Sequence, residues 1–261
     1  MSTAALLILS LVAGVVVAVV TAPVGVSGAV FLLPIQLSVL HFPNPTVTPT
    51  NLLFNVVAIP GALARYRRRS PLRNPLTTTL LLGTVPGVIL GAVVRVTLIP
   101  GPTIFRLLVA AFLLPLGIWL LPTHPKTPSR RPPDPPPDFT ITAAVVVGTL
   151  GGIYGIGGGS LLSPILIGRG MPMATVAPAA LLTTFITSIA GAATYLLLAI
   201  TTAGGNIAPY WTVGICAGTG GLIGAYLGAL LQPHLPVRVL RITLGASAIA
   251  TASLYLAQAG H

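Results

Sequence analysis

The chain has 261 residues, 54% of them hydrophobic and 6% charged, with a mean hydropathy of +0.97. A soluble domain carries about 25% charged residues, so a water-facing globular surface is excluded and lipid is the alternative solvent. Thirteen Lys and Arg stand against two acids, Asp134 and Asp138, but with so much of the chain in hydrocarbon no soluble domain remains to grip nucleic acid.

A spanning helix needs roughly 20 apolar residues, which gives room for about eight spans joined by short connections. The first apolar run covers residues 4–21; its flank lacks positive charge, so it reads as a retained span rather than a signal peptide. A break at TAPVGVSG follows, then a short apolar piece over residues 29–40 and a polar, proline-rich connection, HFPNPTVTP. The next run, 51–64, ends abruptly at RYRRRSPLR, and runs at 77–99 and 104–121 complete a first half. Residues 122–138 are the one long polar stretch, and their prolines predict a semi-rigid linker. A run at 140–150 then leads into GGIYGIGGGS, followed by a short piece at 161–167 and the connection GRGMPMATVAP. Residues 179–200, 211–231 and 239–256 supply the last spans, with the uncharged loop TTAGGNIAP before 211. Cys216, the sole cysteine, lies within an apolar run and is expected to be buried and inert.

The second half repeats the first. GVSGAVFLLPI at 25–35 lies over GIGGGSLLSPI at 155–165, matching Gly25 to Gly155, Gly28 to Gly158 and Pro34 to Pro164. VTPTNLL at 47–53 lies over VAPAALL at 176–182, and Tyr66 over Tyr195. Gly83, Gly87 and Gly91 recur as Gly220, Gly224 and Gly228, and Phe105-Arg106-Leu107 as Leu240-Arg241-Ile242. The expected organisation is a first repeat at 1–121, a cytoplasmic linker at 122–138 and a second repeat at 139–261. Arg65, Arg67, Arg68, Arg69 and Arg73 share one loop, which the positive-inside rule places in the cytoplasm; the equivalent loop in the second half is uncharged. That contrast predicts an inverted-topology repeat. The fold class expected is therefore an all-α polytopic membrane protein with Gly/Pro-broken helices.

The two interrupted segments carry the functional expectation. Irregular backbone is tolerated at membrane depth only where it is buried in protein or lines a cavity. A helix restarting after such a break presents N–H groups without intrahelical partners, which makes an anion site that needs no charged side chain. Two broken segments at matching places in two halves point to a transporter's binding site; simple close packing explains a single one. The expected binding residues are Gly25, Ser27 and Gly28 in the first half and Gly155, Gly157, Gly158, Gly159 and Ser160 in the second, with Pro34 and Pro164 as structural breaks. Asn51 and Asn55, one turn apart, are expected to face the cavity, because an amide is hard to hide in lipid. Thr183, Thr184, Thr187 and Ser188 either line the same cavity or serve as interhelical hydrogen-bond donors. The glycine rows at four-residue spacing are assigned to close helix packing. Tyr66, Tyr210 and Trp211 are expected at the membrane interface, as is Tyr195 unless it faces the cavity.

Absences narrow the mechanism. The apolar runs contain no Asp or Glu, so a carboxylate proton relay, a sodium site and an acid/base pair are not expected. No metal-ligand spacing, P-loop or nucleophile motif occurs, so neither cofactor, metal nor enzymatic activity is expected.

At its Gly-rich boxes the chain resembles the TauE/SafE family of membrane permeases, the sulfite exporters. The resemblance covers nearly the whole chain: two copies of a G-x-G-G-G-x-x-x-x-P box, each followed by a span of small and Ser/Thr residues. The second box, with Gly155, Gly157, Gly158, Gly159 and Pro164, fits well. The first departs from it, with Ser27 and Ala29 where the family has glycines. The resemblance implies export of sulfite, a sulfonate or a related small sulfur-containing anion across the cell membrane. An anion channel, or a membrane enzyme or scaffold without transport, are the rival readings.

Overall fold

The computed structural model describes residues 2–40, 42–68, 72, 75–99, 101–121, 137–169, 171–201 and 207–259. Ten α-helices account for most of them, with no strand among the described residues. They are α1 (Thr3–Thr21), α2 (Ala29–Pro34), α3 (Asn44–Tyr66), α4 (Pro75–Thr97), α5 (Pro102–Leu120), α6 (Pro137–Tyr154), α7 (Gly159–Gly168), α8 (Met173–Thr201), α9 (Trp211–Leu231) and α10 (Val237–Ala259). Among the described residues, five stretches are long and apolar enough to cross a membrane: Thr3–Val24, Thr46–Tyr66, Pro75–Thr97, Met173–Thr201 and Trp211–His234. The protein is an all-α polytopic membrane protein.

Two helices begin earlier than hydropathy suggests. α3 starts at Asn44, inside the expected HFPNPTVTP connection, and α8 at Met173, inside GRGMPMATVAP. Proline early in a helix removes a donor that has no partner there and sets φ in advance. In α3, Thr46 donates to Pro43 O and Thr50 to Thr46 O, so the hydroxyls stay satisfied. The expected linker lies outside the described residues up to 136, as do Arg69 and Arg73.

The breaks fall at the glycines. After α1 a 3-10 turn (Ala22–Val24) ends at Gly25, whose φ of 74° is left-handed. After α6 the chain turns at Gly155, also at φ 74°, and again at Gly157, at φ 72°. Only glycine adopts these dihedrals without strain. Pro34 closes α2, where the helix widens into a π turn (Ile35–Val39). Pro164 lies inside α7 and breaks nothing: that interruption belongs to the glycines before it.

Helices pair across the two halves. α1 lies on α9 through Leu11 against Gly220, Val15 against Gly224 and Val19 against Gly228. α4 lies on α6 through Gly83 against Ile141, Gly87 against Val145 and Gly91 against Thr149. At each of these glycines a Cβ would overlap the partner's backbone, so the rows set the interhelical distance. α5 pairs with α10, and α3 and α8 form the centre. The contact registers give directions. α1, α3 and α9 run one way; α8 opposes α3, since Leu52 meets Gly191 and Asn55 meets Ser188. α4 runs with α6 and with α8, and the sequence-matched pairs α1/α6, α3/α8 and α4/α9 are each antiparallel.

Gly224→Leu is expected to force α1 from α9 and to destabilise the protein by about 1–3 kcal/mol. Thermal unfolding of detergent-solubilised protein checks this, with the lipid-facing Thr219→Leu as the control that should melt like the parent.

Candidate functional site

Both breaks reach the same buried point. The Ser27 N–H, in the first break, donates to Ser160 Oγ, at the start of α7, at 3.1 Å. The Ser27 hydroxyl donates to Asn55 Oδ1 on α3 and accepts from the Ala29 N–H at 3.0 Å. Asn55 Nδ2 in turn donates to Ser188 Oγ on α8 at 3.1 Å and to the Gly155 carbonyl at 3.5 Å. Ser160 Oγ also lies 3.2 Å from Thr184 Oγ1 and donates to Ile156 O at 2.9 Å. The Gly158 N–H, ahead of the first turn of α7, donates to Thr187 Oγ1 at 3.1 Å. Ser27, Asn55, Ser160, Thr184, Thr187 and Ser188 are all at most 2% exposed.

The reason for this convergence lies in helix periodicity. Thr184, Thr187 and Ser188 repeat at three and four residues and share one face of α8. The glycines beside them let the second break approach that face: a Cβ on Gly157 would meet Thr184 Cγ2 at 2.6 Å, and one on Gly159 would overlap Ala180 O. Asn55 lies at the middle of α3 and Thr187 at the middle of α8, so the junction falls at mid-height of the two central helices.

Other expected residues take different places. Asn51 and Thr183 are fully buried, and the Asn51 amide and the Thr183 hydroxyl find no hydrogen-bond partner among the described residues. Buried polar groups are ordinarily paired, which sets these two apart. Gly25 packs against Ala177 and Ser163, and Gly28 against Val17 and Phe54. Tyr195 is buried, but lies about two turns beyond Thr187 on α8 and donates to Gly152 O at 3.0 Å. Its match Tyr66 is not an interface residue: it is 2% exposed and donates to Ala22 O at 3.2 Å. Each tyrosine thus holds a carbonyl near the end of the broken helix in its own half. Tyr210 and Trp211 are exposed. Cys216 is half-buried and donates to Leu7 O at 3.2 Å.

Two residues escaped the sequence reading. Gln36 is 0% exposed with both side-chain polar atoms unpartnered among the described residues; an amide inside the apolar stretch 29–40 was the available signal. Arg95 is buried within α4, and at the end of an apolar run it resembles an ordinary interfacial arginine.

The two sides of the junction are unequal. A narrow cleft, with room for about one water molecule, adjoins Thr21, Ser27 and Gly28 and follows α3 past Phe54 and Ala58 to Ala62. It therefore extends toward the α3 end that carries Arg65, Arg67 and Arg68. The matched positions of the second half that carry glycine are closely packed. Gly148 and Gly152, opposite Ala18 and Ala22, lie on the backbone of Thr84 and Val88. Gly191, opposite Ala62, is covered by Val88 and Leu52.

Asn55→Leu removes the acceptor of Ser27 and the donor to Ser188. The expected loss is about 1–3 kcal/mol for each buried group left unsatisfied, read as a lower melting temperature. Melting like the parent would show that the junction does not depend on this amide.

Among known families, the model described as sulfite exporter TauE/SafE matches residues 10–255. No curated protein and no solved structure matches the chain.

Proposed function

The chain belongs to the TauE/SafE sulfite exporter family, and from that premise we propose that it moves a small sulfur-containing anion, sulfite or a sulfonate, outward across the cell membrane through the junction of its two breaks. The observation that carries this is the Ser27 N–H on Ser160 Oγ: two Gly-rich interruptions, 133 residues apart, meet at one buried point. The groups gathered there are a backbone N–H, hydroxyls and an amide, donors that suit an oxyanion without a fixed positive charge. As folded they bond largely to one another, so an arriving anion takes over bonds from the Ser27–Ser160 and Ser160–Thr184 contacts. Asn51 and Thr183, unpartnered nearby in sequence on the same two helices, are further donors for it.

The antiparallel directions of the matched helices support an inverted repeat, in which one half rocks against the other about the junction. The cleft extends toward Arg65, Arg67 and Arg68, the side that the positive-inside rule makes cytoplasmic. An anion would enter there, and the packed second-half route would open to release it. The two acids of the chain are Asp134 and Asp138, the latter in the first turn of α6. Among the described residues no carboxylate lies at the junction for cation coupling. An inside-negative potential favours outward movement of an anion by about 2.3 kcal/mol per charge per 100 mV.

Purified protein in liposomes should move sulfite, thiosulfate or small sulfonates, and Ser160→Ala should slow that flux at least about tenfold, a loss of some 1.4 kcal/mol in the transition state. Flux unaltered in Ser160→Ala, with normal protein level, would place the anion elsewhere. The potential makes a second prediction: a potassium diffusion potential, negative on the side of the Arg65 loop, should accelerate movement away from that side. A rate indifferent to potential would mean electroneutral transport.

A further inference from the structure

One charge is buried outside the junction. Arg95, on the last turn of α4, is 3% exposed, and no other Lys, Arg, Asp or Glu is buried to that degree among the described residues. Its guanidinium lies over the Phe105 ring, 4.4 Å from the centroid, and donates to Ile99 O. It also stands within electrostatic reach of Tyr195, whose hydroxyl holds Gly152 O near the end of α6. Ionisable side chains inside membrane spans are expensive and mark substrate routes.

A plainer explanation is that Arg95 only holds the Ile99 carbonyl at the end of its own helix, where a cation is favourable. The matched half speaks against it. With Gly83, Gly87 and Gly91 laid over Gly220, Gly224 and Gly228, Arg95 falls on Gln232. Gln232 Nε2 donates to Pro23 O, at the end of the other broken helix, at 2.7 Å. A neutral amide at this position thus serves as a tether, so a tether here does not call for a charge.

Its location suits a different task. Thr48, which donates to Ile153 O beside Tyr195, precedes Asn55 by seven residues, about 10 Å along α3. Arg95 therefore lies on the side away from the cleft, eleven residues, about 16 Å along α4, beyond Thr84, which packs on Gly158 at the junction. At that distance, with an effective dielectric constant of about 20, one positive charge favours an anion about fivefold per unit of anion charge.

We infer that Arg95 is a specificity residue for the transported anion, biasing the junction toward the more highly charged species and receiving the anion on the release side. This rests on the anion passing between the two breaks, as proposed above.

The test compares two anions of fixed charge in proteoliposomes, monovalent methanesulfonate and divalent thiosulfate, in the parent, Arg95→Gln and Arg95→Lys. Arg95→Gln, the residue present at the matched position, should raise the apparent KM about fivefold for methanesulfonate. It should raise that for thiosulfate about 25-fold, while the protein melts within a few degrees of the parent. Arg95→Lys, which keeps the charge but loses the planar fork, should restore the thiosulfate preference to within about twofold. If Arg95→Gln does not reach the membrane, Arg95→Lys alone decides: a preserved charge preference supports the inference, and a lost one overturns it. Equal weakening for both anions in Arg95→Gln, or a change in melting with selectivity intact, would reduce Arg95 to a tether and leave transport standing. A parent protein that moves neither these anions nor sulfite would overturn the transport reading and the role of Arg95 together.

Discussion

Hydrocarbon offers no hydrogen bonds, and the rest of the structure depends on that constraint. A backbone group left unpaired at membrane depth costs several kcal/mol, yet each half of this protein interrupts a helix in the middle of its apolar sequence. The interruptions survive because they face one another and the two central helices. Ser27 and Gly158 find hydroxyls on Ser160 and Thr187 for their N–H groups. Carbonyls exposed by the breaks are met in the same way: Ala22 by Tyr66, Gly152 by Tyr195, Ile153 by Thr48 and Pro23 by Gln232. The polar residues of α3 and α8 are thus the local solvent of the broken backbone.

That solvent works only at close range, and the glycine rows provide the range. α1 and α6, the helices that break, are pressed onto α9 and α4 of the opposite half until backbone meets backbone. A side chain in the rows would move the breaks away from the hydroxyls that satisfy them. Packing and site are consequently one system. The same contacts differ between the halves, since the first keeps alanines where the second has glycines at Gly148, Gly152 and Gly191. A cleft lies beside Ser27 on the alanine side, whereas Gly148 and Gly152 let the facing helix come to backbone contact.

Much of this was legible in the chain. Membrane character followed from composition, and the breaks from Gly25, Gly155 and Gly157, because few residues tolerate a left-handed turn. The glycine rows announced close contact, although not that their partners lie in the opposite half. Other features were hidden for identifiable reasons. The first turns of α3 and α8 contain proline and threonine, which lower hydropathy without opposing a helix start. Ser27 aligns with Gly157 in the repeat, not with Ser160, so the central contact crosses the sequence match and arises only from the fold. Tyr66 looked like an interface residue because it adjoins the Arg cluster; its ring turns inward to a carbonyl that a linear reading cannot place. Arg95 was missed because a single arginine at the end of an apolar run looks the same whether it reaches headgroups or lies over Phe105.

The cross-half pairing has a consequence for how the chain is made. α1 rests on α9, which begins with Trp211, so the first helix is synthesised about 200 residues before its principal partner. At roughly 5–20 residues per second, a ribosome needs about 10–40 seconds to cover that interval. During that time Gly14 and the Leu11–Val19 face stand uncovered in the bilayer. The first half must therefore be inserted before it can be folded. Its broken segment waits without the Ser160 hydroxyl that later receives the Ser27 N–H, and final assembly is a late, concerted event that only the last two helices can trigger.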